Sequence, residues 1–225
     1  MKPYEFAQLT DISVVRSRHS LEDVRNVAKV ALQYRFRNVH SLPCYTAELS
    51  KLIGEQPDVF VGAPVGFPSG GALTEVKCLE AKKLLKDGAK EIDIVMNVGR
   101  LKDGDLTFVE NELKEIITLC EGHALTKVIV EMNVLSDVEL EEACQVVIES
   151  GADFLKTGTG WVPAPLDLNR IATLKKRLGN HIKLKVAGGI RSLSEIDYMV
   201  ELGVERFGLN DKTAVDLIHL LEQNA

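Results

Sequence analysis

The stretch "KVIVEMNVLSDVELEEACQVVIESGADFLKTG", residues 127–158, decides the fold. It opens with a β-branched apolar run, "KVIVEMNVL" (127–135), and closes with a second, "ADFLKTG" (152–158). Between them, Ser136 and Glu139 have the spacing of a helix capping box, and Gly151 stands where a helix stops. Strand, helix and strand in this order predict two parallel strands joined by a helical crossover.

The same grammar recurs on both sides. Apolar runs at 8–15, 37–42, 59–67, 91–99, 182–189 and 205–210 read as further strands. "SLEDVRNVAKVALQYRF" spaces Leu21, Val24, Val27, Ala28 and Ala31 by threes and fours behind a Ser20–Asp23 cap. Ser192 and Glu195 open another helix over 192–202, which Gly203 ends. Strands apolar on both faces imply a parallel sheet covered on both sides. About eight such units in 225 residues predict an α/β fold, a single (β/α)8 TIM barrel over 1–225. A doubly wound open sheet is the alternative; it predicts a GxGxxG turn after the first strand, which is not found.

Composition narrows the function. A net charge of −6 provides no basic footprint for nucleic acid or an anionic membrane, although one pocket can still be basic. No run reaches the ~18 apolar residues of a membrane span, and the first residues lack the apolar core of a signal peptide. Cys44, Cys78, Cys120 and Cys144 show no CxxC or Cys/His ligand spacing and read as reduced thiols in a cytoplasmic protein. No HxH, HExxH or paired His/Asp spacing suggests a metal, and none is expected. No linker or low-complexity segment divides the chain, so one domain is expected.

In such barrels chemistry collects at the carboxyl ends of the strands. Asp93, Glu131, Lys156 and Lys185 are ionisable residues inside the apolar runs at those ends. Lys156 and Lys185 fall on the sixth and seventh strands, which a barrel makes neighbours. Two ammonium groups in one desolvated pocket repel, so at least one pKa should fall. A neutral lysine amine attacks carbonyls and forms a Schiff base, whose protonated imine makes the adjacent carbon acidic. Asp93 would balance the remaining charge and move a proton. The simpler reading of either lysine alone is that it snorkels to solvent or pairs with Asp93 or Glu131.

"VAGGIR" (186–191) suggests an anion site, with Gly188 and Gly189 exposing backbone N–H groups and Arg191 adding a guanidinium. A turn that needs positive φ explains the glycines equally simply. Glu131 either orients polar groups at the barrel mouth or pairs with a lysine. His40 ends the second strand as a mouth residue or a satisfied structural histidine. Trp161 either walls the pocket or caps the barrel.

"VGFPSGGALTEVKCLEAKKLLKDGAKEIDIVMNVGRLKDGD", "VIVEMNVL", "GADFLKTGTG" and "KVAGGIRSLSEIDYMVELG" together resemble the deoxyribose-phosphate aldolase family of class I aldolases. The likeness runs in order from about Leu9 to Leu221. It implies a (β/α)8 barrel that cleaves 2-deoxyribose 5-phosphate reversibly to acetaldehyde and glyceraldehyde 3-phosphate without a cofactor. It implies Lys156 as the Schiff-base lysine, Lys185 as the partner that lowers its pKa, and Asp93 as the acid in the proton relay. Asp11 and Ser13 match an Asp-x-Thr pattern beside the same pocket. Thr157, Gly160, Gly188, Gly189, Arg191, Gly208, Asn210 and Asp211 are the further expected substrate contacts. A homo-oligomer, dimer or tetramer, is also implied.

The departures fall at the phosphate end. Asn210 and Asp211 occupy the place of paired small residues after the eighth strand, and "WVPAPLD" replaces a glycine-rich segment after the sixth. His40 stands where the family often has cysteine. A carboxylate ~4 Å from a phosphate costs on the order of several kcal/mol at an effective dielectric near 20. Either phosphate recognition is retained, with Asp211 turned aside to cap the last helix, or the substrate is a different or nonphosphorylated sugar.

Overall fold

A computed structural model describes residues 1–223. Its strands are β1 Thr10–Val14, β2 Asn38–Ser41, β3 Phe60–Val65, β4 Glu91–Val95, β5 Leu125–Ile129, β6 Phe154–Lys156, β7 Lys183–Ala187 and β8 Arg206–Asn210. They pair in chain order, every pair parallel, and β8 closes onto β1. The closed (β/α)8 barrel expected from the strand–helix alternation is therefore the fold.

Local chemistry sets the crossovers. The helix Asp137–Glu149 starts where the Ser136 side chain accepts the Glu139 N–H and the Glu139 carboxylate accepts the Ser136 N–H. It buries Leu140, Ala143, Cys144, Val146 and Val147. The same capping box starts Leu21–Tyr34 at Ser20 and Leu193–Glu201 at Ser192. Each satisfies backbone donors that a helix start otherwise leaves unpaired.

Several apolar runs overstate the strands. The run 127–135 is strand only to Ile129; Glu131 then adopts φ 51° and a single 3-10 turn spans Met132–Val134. The Val130 and Met132 amides donate to Lys156 O and Thr157 O, so the chain leaves β5 to cap the short β6. Met132 and Leu135 are apolar because this loop packs against the core. The run 91–99 likewise ends at Val95, and Asn97 caps a short helix, Val98–Lys102.

Register stacks the charges inside. Asp93 lies opposite Lys127, Lys156 opposite Lys185, and Lys185 opposite Arg206. Because alternate residues of a strand share a face, Glu91 and Asp93 point inward together while Ile92 and Ile94 are buried in the layer beneath the helices.

A second buried ion pair lies outside the barrel. Lys77 donates to Glu112 Oε1 (2.6 Å) and to Val95 O (3.0 Å), and Thr74 Oγ1 donates to Glu112 Oε2 (3.1 Å). It ties the helices Thr74–Lys86 and Leu106–Cys120 to the end of β4. Both side chains are fully buried. Glu112→Ala strands an ammonium there and is expected to cost about 3–5 kcal/mol. Urea unfolding checks this; a loss under ~1 kcal/mol contradicts it.

Candidate active site

Asp93 is the hub of the charged layer. Its Oδ2 accepts from Lys156 Nζ (2.8 Å) and Lys185 Nζ (3.0 Å), and its Oδ1 from Lys127 Nζ (3.0 Å). Asp11 accepts from Lys185 Nζ (2.5 Å) and Arg206 Nη1 (2.6 Å). Lys127 also donates to Glu91, which lies 3.4 Å from Arg206. Four cations, Lys127, Lys156, Lys185 and Arg206, thus share three carboxylates, Asp11, Glu91 and Asp93, in a buried layer. One cation is in excess. Giving up one proton makes the layer neutral.

The protonation equilibria follow this count. Burial would raise the Asp93 pKa, but Lys127, Lys156 and Lys185 outweigh it and hold the carboxyl well below its usual range. Asp11 is held down in the same way, by Arg206, Lys185 and Lys127. Burial would lower Lys127, yet Asp93, Glu91 and Asp11 keep it above its ordinary value. Lys185 is different. Burial, helped by Lys156 and Lys127, overrides Asp11 and Asp93 and brings its pKa down to about 8. The lowered pKa falls on Lys185 itself, which the resemblance gave as the partner that lowers the pKa of its neighbour.

His40 Nε2 stands 3.2 Å from Asp93 Oδ1 without the alignment of a hydrogen bond. Burial, the largest influence, lowers its pKa despite Asp93, so it is neutral at pH 7. Its ring fits because residue 62 is glycine: a Cβ there would lie 2.4 Å from His40 Nε2.

Above this layer a cavity of about 660 Å³ opens at the carboxyl ends of the strands. Lys156, 9% exposed, and Lys185, 1% exposed, both reach it, as do Asp93, His40, Asp11 and Ser13. Gly160, Gly188, Gly189, Arg191, Gly208, Asn210 and Asp211 line it as well. Gly189 has φ 80°, and a Cβ there would meet Leu166 N at 2.8 Å, so both conformation and space require glycine.

One expected substrate contact, Thr157, stands outside the cavity, and the alternatives left open at Asp211 and Glu131 are resolved. Thr157 does not line the cavity; its hydroxyl accepts the Ala187 N–H (3.0 Å) and clamps β6 to β7. Asn210, rather than Asp211, caps the last helix, its Oδ1 accepting the Thr213 N–H (2.9 Å). Asp211 begins that helix and lines the cavity. Glu131 pairs with no lysine among the described residues; its carboxylate accepts the N–H and O–H of Thr159, so it orients polar groups. Trp161 lies at the mouth, where Nε1 donates to Val15 O (3.1 Å) and its ring meets Phe67 edge-on.

Glu91, Lys127 and Arg206 complete the layer and were not expected. Their signal was strand alternation: each lies an even number of positions from an inward residue or beside one in register. Among the described residues no group of three or more His, Cys, Asp or Glu side chains is arranged to hold a metal ion, and no helix is long and apolar enough to cross a membrane.

A closed parallel barrel with lysines on the floor of a polar cavity at its carboxyl end defines the class, an aldolase barrel. The model of the DeoC/LacD family aldolases matches residues 5–208, and the chain belongs to that family. A deoxyribose-phosphate aldolase of Sinorhizobium medicae is 43% identical over 218 residues, covering 97% of this chain and 88% of the relative. The solved structure of QR15, an aldolase, superposes with a TM-score of 0.90 at 31% identity, covering 98% of this chain and 97% of that one. The tetrameric deoxyribose phosphate aldolase of Aeropyrum pernix gives 0.87 at 29% identity, covering 100% and 94%.

Proposed function

We propose that the protein is a class I aldolase that cleaves 2-deoxy-D-ribose 5-phosphate reversibly to acetaldehyde and D-glyceraldehyde 3-phosphate. Lys156 is the nucleophile, Lys185 the proton-exchanging partner and Asp93 the carboxylate that holds both. One observation carries the reading: two lysine nitrogens share Asp93 Oδ2 at the floor of the cavity, in a layer with one cation too many.

The Lys156 amine adds to the C1 aldehyde of the open-chain sugar, and water leaves to give a protonated imine. The C3 hydroxyl loses its proton as the C2–C3 bond breaks and its electrons flow to the iminium. Glyceraldehyde 3-phosphate departs, leaving an enamine. Protonation of the enamine carbon and hydrolysis of the imine release acetaldehyde and restore the amine. Lys185, with a pKa near 8, exchanges protons at neutral pH without a large penalty in either direction. Every step uses protein groups and water.

The phosphate reading draws on Gly188, Gly189 and Arg191 at the cavity wall and on Asn210, a neutral wall residue whose Oδ1 is engaged in capping the last helix. Asp211 on the same wall favours the second reading, the same chemistry on a nonphosphorylated sugar. Comparing kcat/KM for deoxyribose 5-phosphate and deoxyribose separates them. A preference of ~10³ or more is expected, and a ratio near unity would favour the second reading.

The reaction is assigned to one domain over 1–225, acting in the cytoplasm as a homo-oligomer. The tetrameric Aeropyrum pernix relative supports the last point.

A further inference from the structure

We propose that Arg16, in the turn after β1, is the residue that selects substrates with an anionic end. The proposal rests on the aldolase reading above for its substrate, a sugar phosphate monoester.

The cavity mouth carries Arg16, Arg18, Arg191 and Lys212. Among the described residues none of the four has a carboxylate within ion-pair distance, whereas each cation of the layer below is paired. Asp211 is the acidic residue on that rim, and it too is unpaired. A concave wall with unpaired cations in majority, on a chain of net charge −6, is a place for an anion to settle.

Arg16 is the cation of this set that is built into place. Its Nη2 donates to Gly160 O (2.6 Å), and its guanidinium carbon lies 5.4 Å from the centre of the Trp161 ring. Trp161 is itself fixed, by Val15 O at its indole N–H and by Thr159 Oγ1 at its backbone N–H (3.0 Å). The Arg16 backbone N–H donates to His19 Nδ1 (3.1 Å), which sets the turn. The guanidinium plane is therefore held, and one of its five N–H donors is engaged. An ordered fork with free donors binds a phosphate in bidentate fashion at low entropic cost. By contrast, Arg18, Arg191 and Lys212 are exposed, and Arg191 Nη1 turns to the neighbouring Ile190 O (2.8 Å).

Position supports the same assignment. Arg16 and Arg191 line both the main cavity and an adjoining one of about 570 Å³ bounded by Trp161 and Asn133, whereas Arg18 and Lys212 line the main cavity alone. Of the two shared cations Arg16 is the half-buried one held by contacts to the β6 loop. No lysine or arginine occurs between Lys156 and Arg170, so the β6 loop brings no cation of its own to this wall. Arg16 reaches the loop from β1 and lies across its tryptophan.

The test compares Arg16→Met, Arg16→Lys and Arg18→Met. In Arg16→Met the ratio of kcat/KM for deoxyribose 5-phosphate over deoxyribose is expected to fall about tenfold or more, mainly through KM for the phosphorylated sugar. Calorimetric titration with inorganic phosphate should weaken by about the same factor, with Arg16→Lys intermediate. Inorganic phosphate should also change the emission of Trp161, the chain's one tryptophan, in the parent protein. A ratio and a phosphate affinity within about twofold of the parent would overturn the proposal. So would equal losses on both sugars, or a loss confined to Arg18→Met. If the parent cleaves neither sugar, the aldolase reading fails, and the phosphate titration still decides the role of Arg16.

Discussion

Lys156→Met is expected to abolish covalent capture of acetaldehyde under borohydride and to lower kcat/KM for deoxyribose 5-phosphate at least about 10⁴-fold. Intact-protein mass gives the first result: the parent gains the ethyl group of a reduced imine, and the variant gains nothing. The size of the effect follows from the chemistry. Without an amine there is no iminium to receive the electrons of the breaking C–C bond, and binding alone cannot replace that sink.

The same substitution should leave the fold nearly intact. Lys156 contacts one carboxylate of the layer, Asp93, and that carboxylate keeps Lys127 and Lys185. Its removal brings the layer to three cations and three carboxylates, so no buried charge is stranded. The urea midpoint should therefore correspond to a stability within about 1 kcal/mol of the parent. Lys156→Arg sharpens the test, because it keeps the charge but offers a group that does not deprotonate in a protein. Undiminished trapping in either variant would move the nucleophile elsewhere, with Lys185 the next group on the cavity floor.

The barrel was legible because its signals are local and repeated. Capping boxes at Ser20, Ser136 and Ser192 and apolar runs between them need no knowledge of distant residues. The floor was half legible. Lys156, Lys185 and Asp93 stood out as charges inside apolar runs, but Lys127 stood at the start of its run and Arg206 beside its edge, where a solvated residue is the ordinary expectation. Only closure of the barrel turns both inward. The mouth was least legible. The contact of Arg16 with Gly160 spans 144 positions of chain, and nothing local at either residue announces it. Asn210 and Asp211 were read as substrate contacts that depart from the family's paired small residues, with Asp211 the one to cap the last helix; both line the cavity, and the cap is Asn210.

Lys185→Met is the complementary case, in which pH is the readout. Near pH 7 its kcat/KM should fall about 10²-fold or more, the range of a lost acid–base partner. The parent should show a limb near pH 8 that belongs to the charged layer as a whole, and the variant should lack it. Stability gives an independent reading. The Lys185 pKa is about 8 in the fold, against an ordinary 10.5, so between these values the unfolded chain holds a proton that the fold has released. Stability then rises with pH across that window, by on the order of 3 kcal/mol for this one group. Three thiols oppose the rise. Burial pushes Cys78 and Cys120 up to about 11 and Cys144 up to about 12, so from about pH 9 the unfolded chain loses protons that the fold keeps. The thiols are the same in both proteins and cancel in the difference between them. Parent stability minus variant stability, from urea unfolding under reducing conditions, should therefore climb from pH 8 to 10.5. A flat difference would mean that Lys185 keeps its proton through this range, and the proton exchange assigned to it would have to pass to another group on the floor of the cavity.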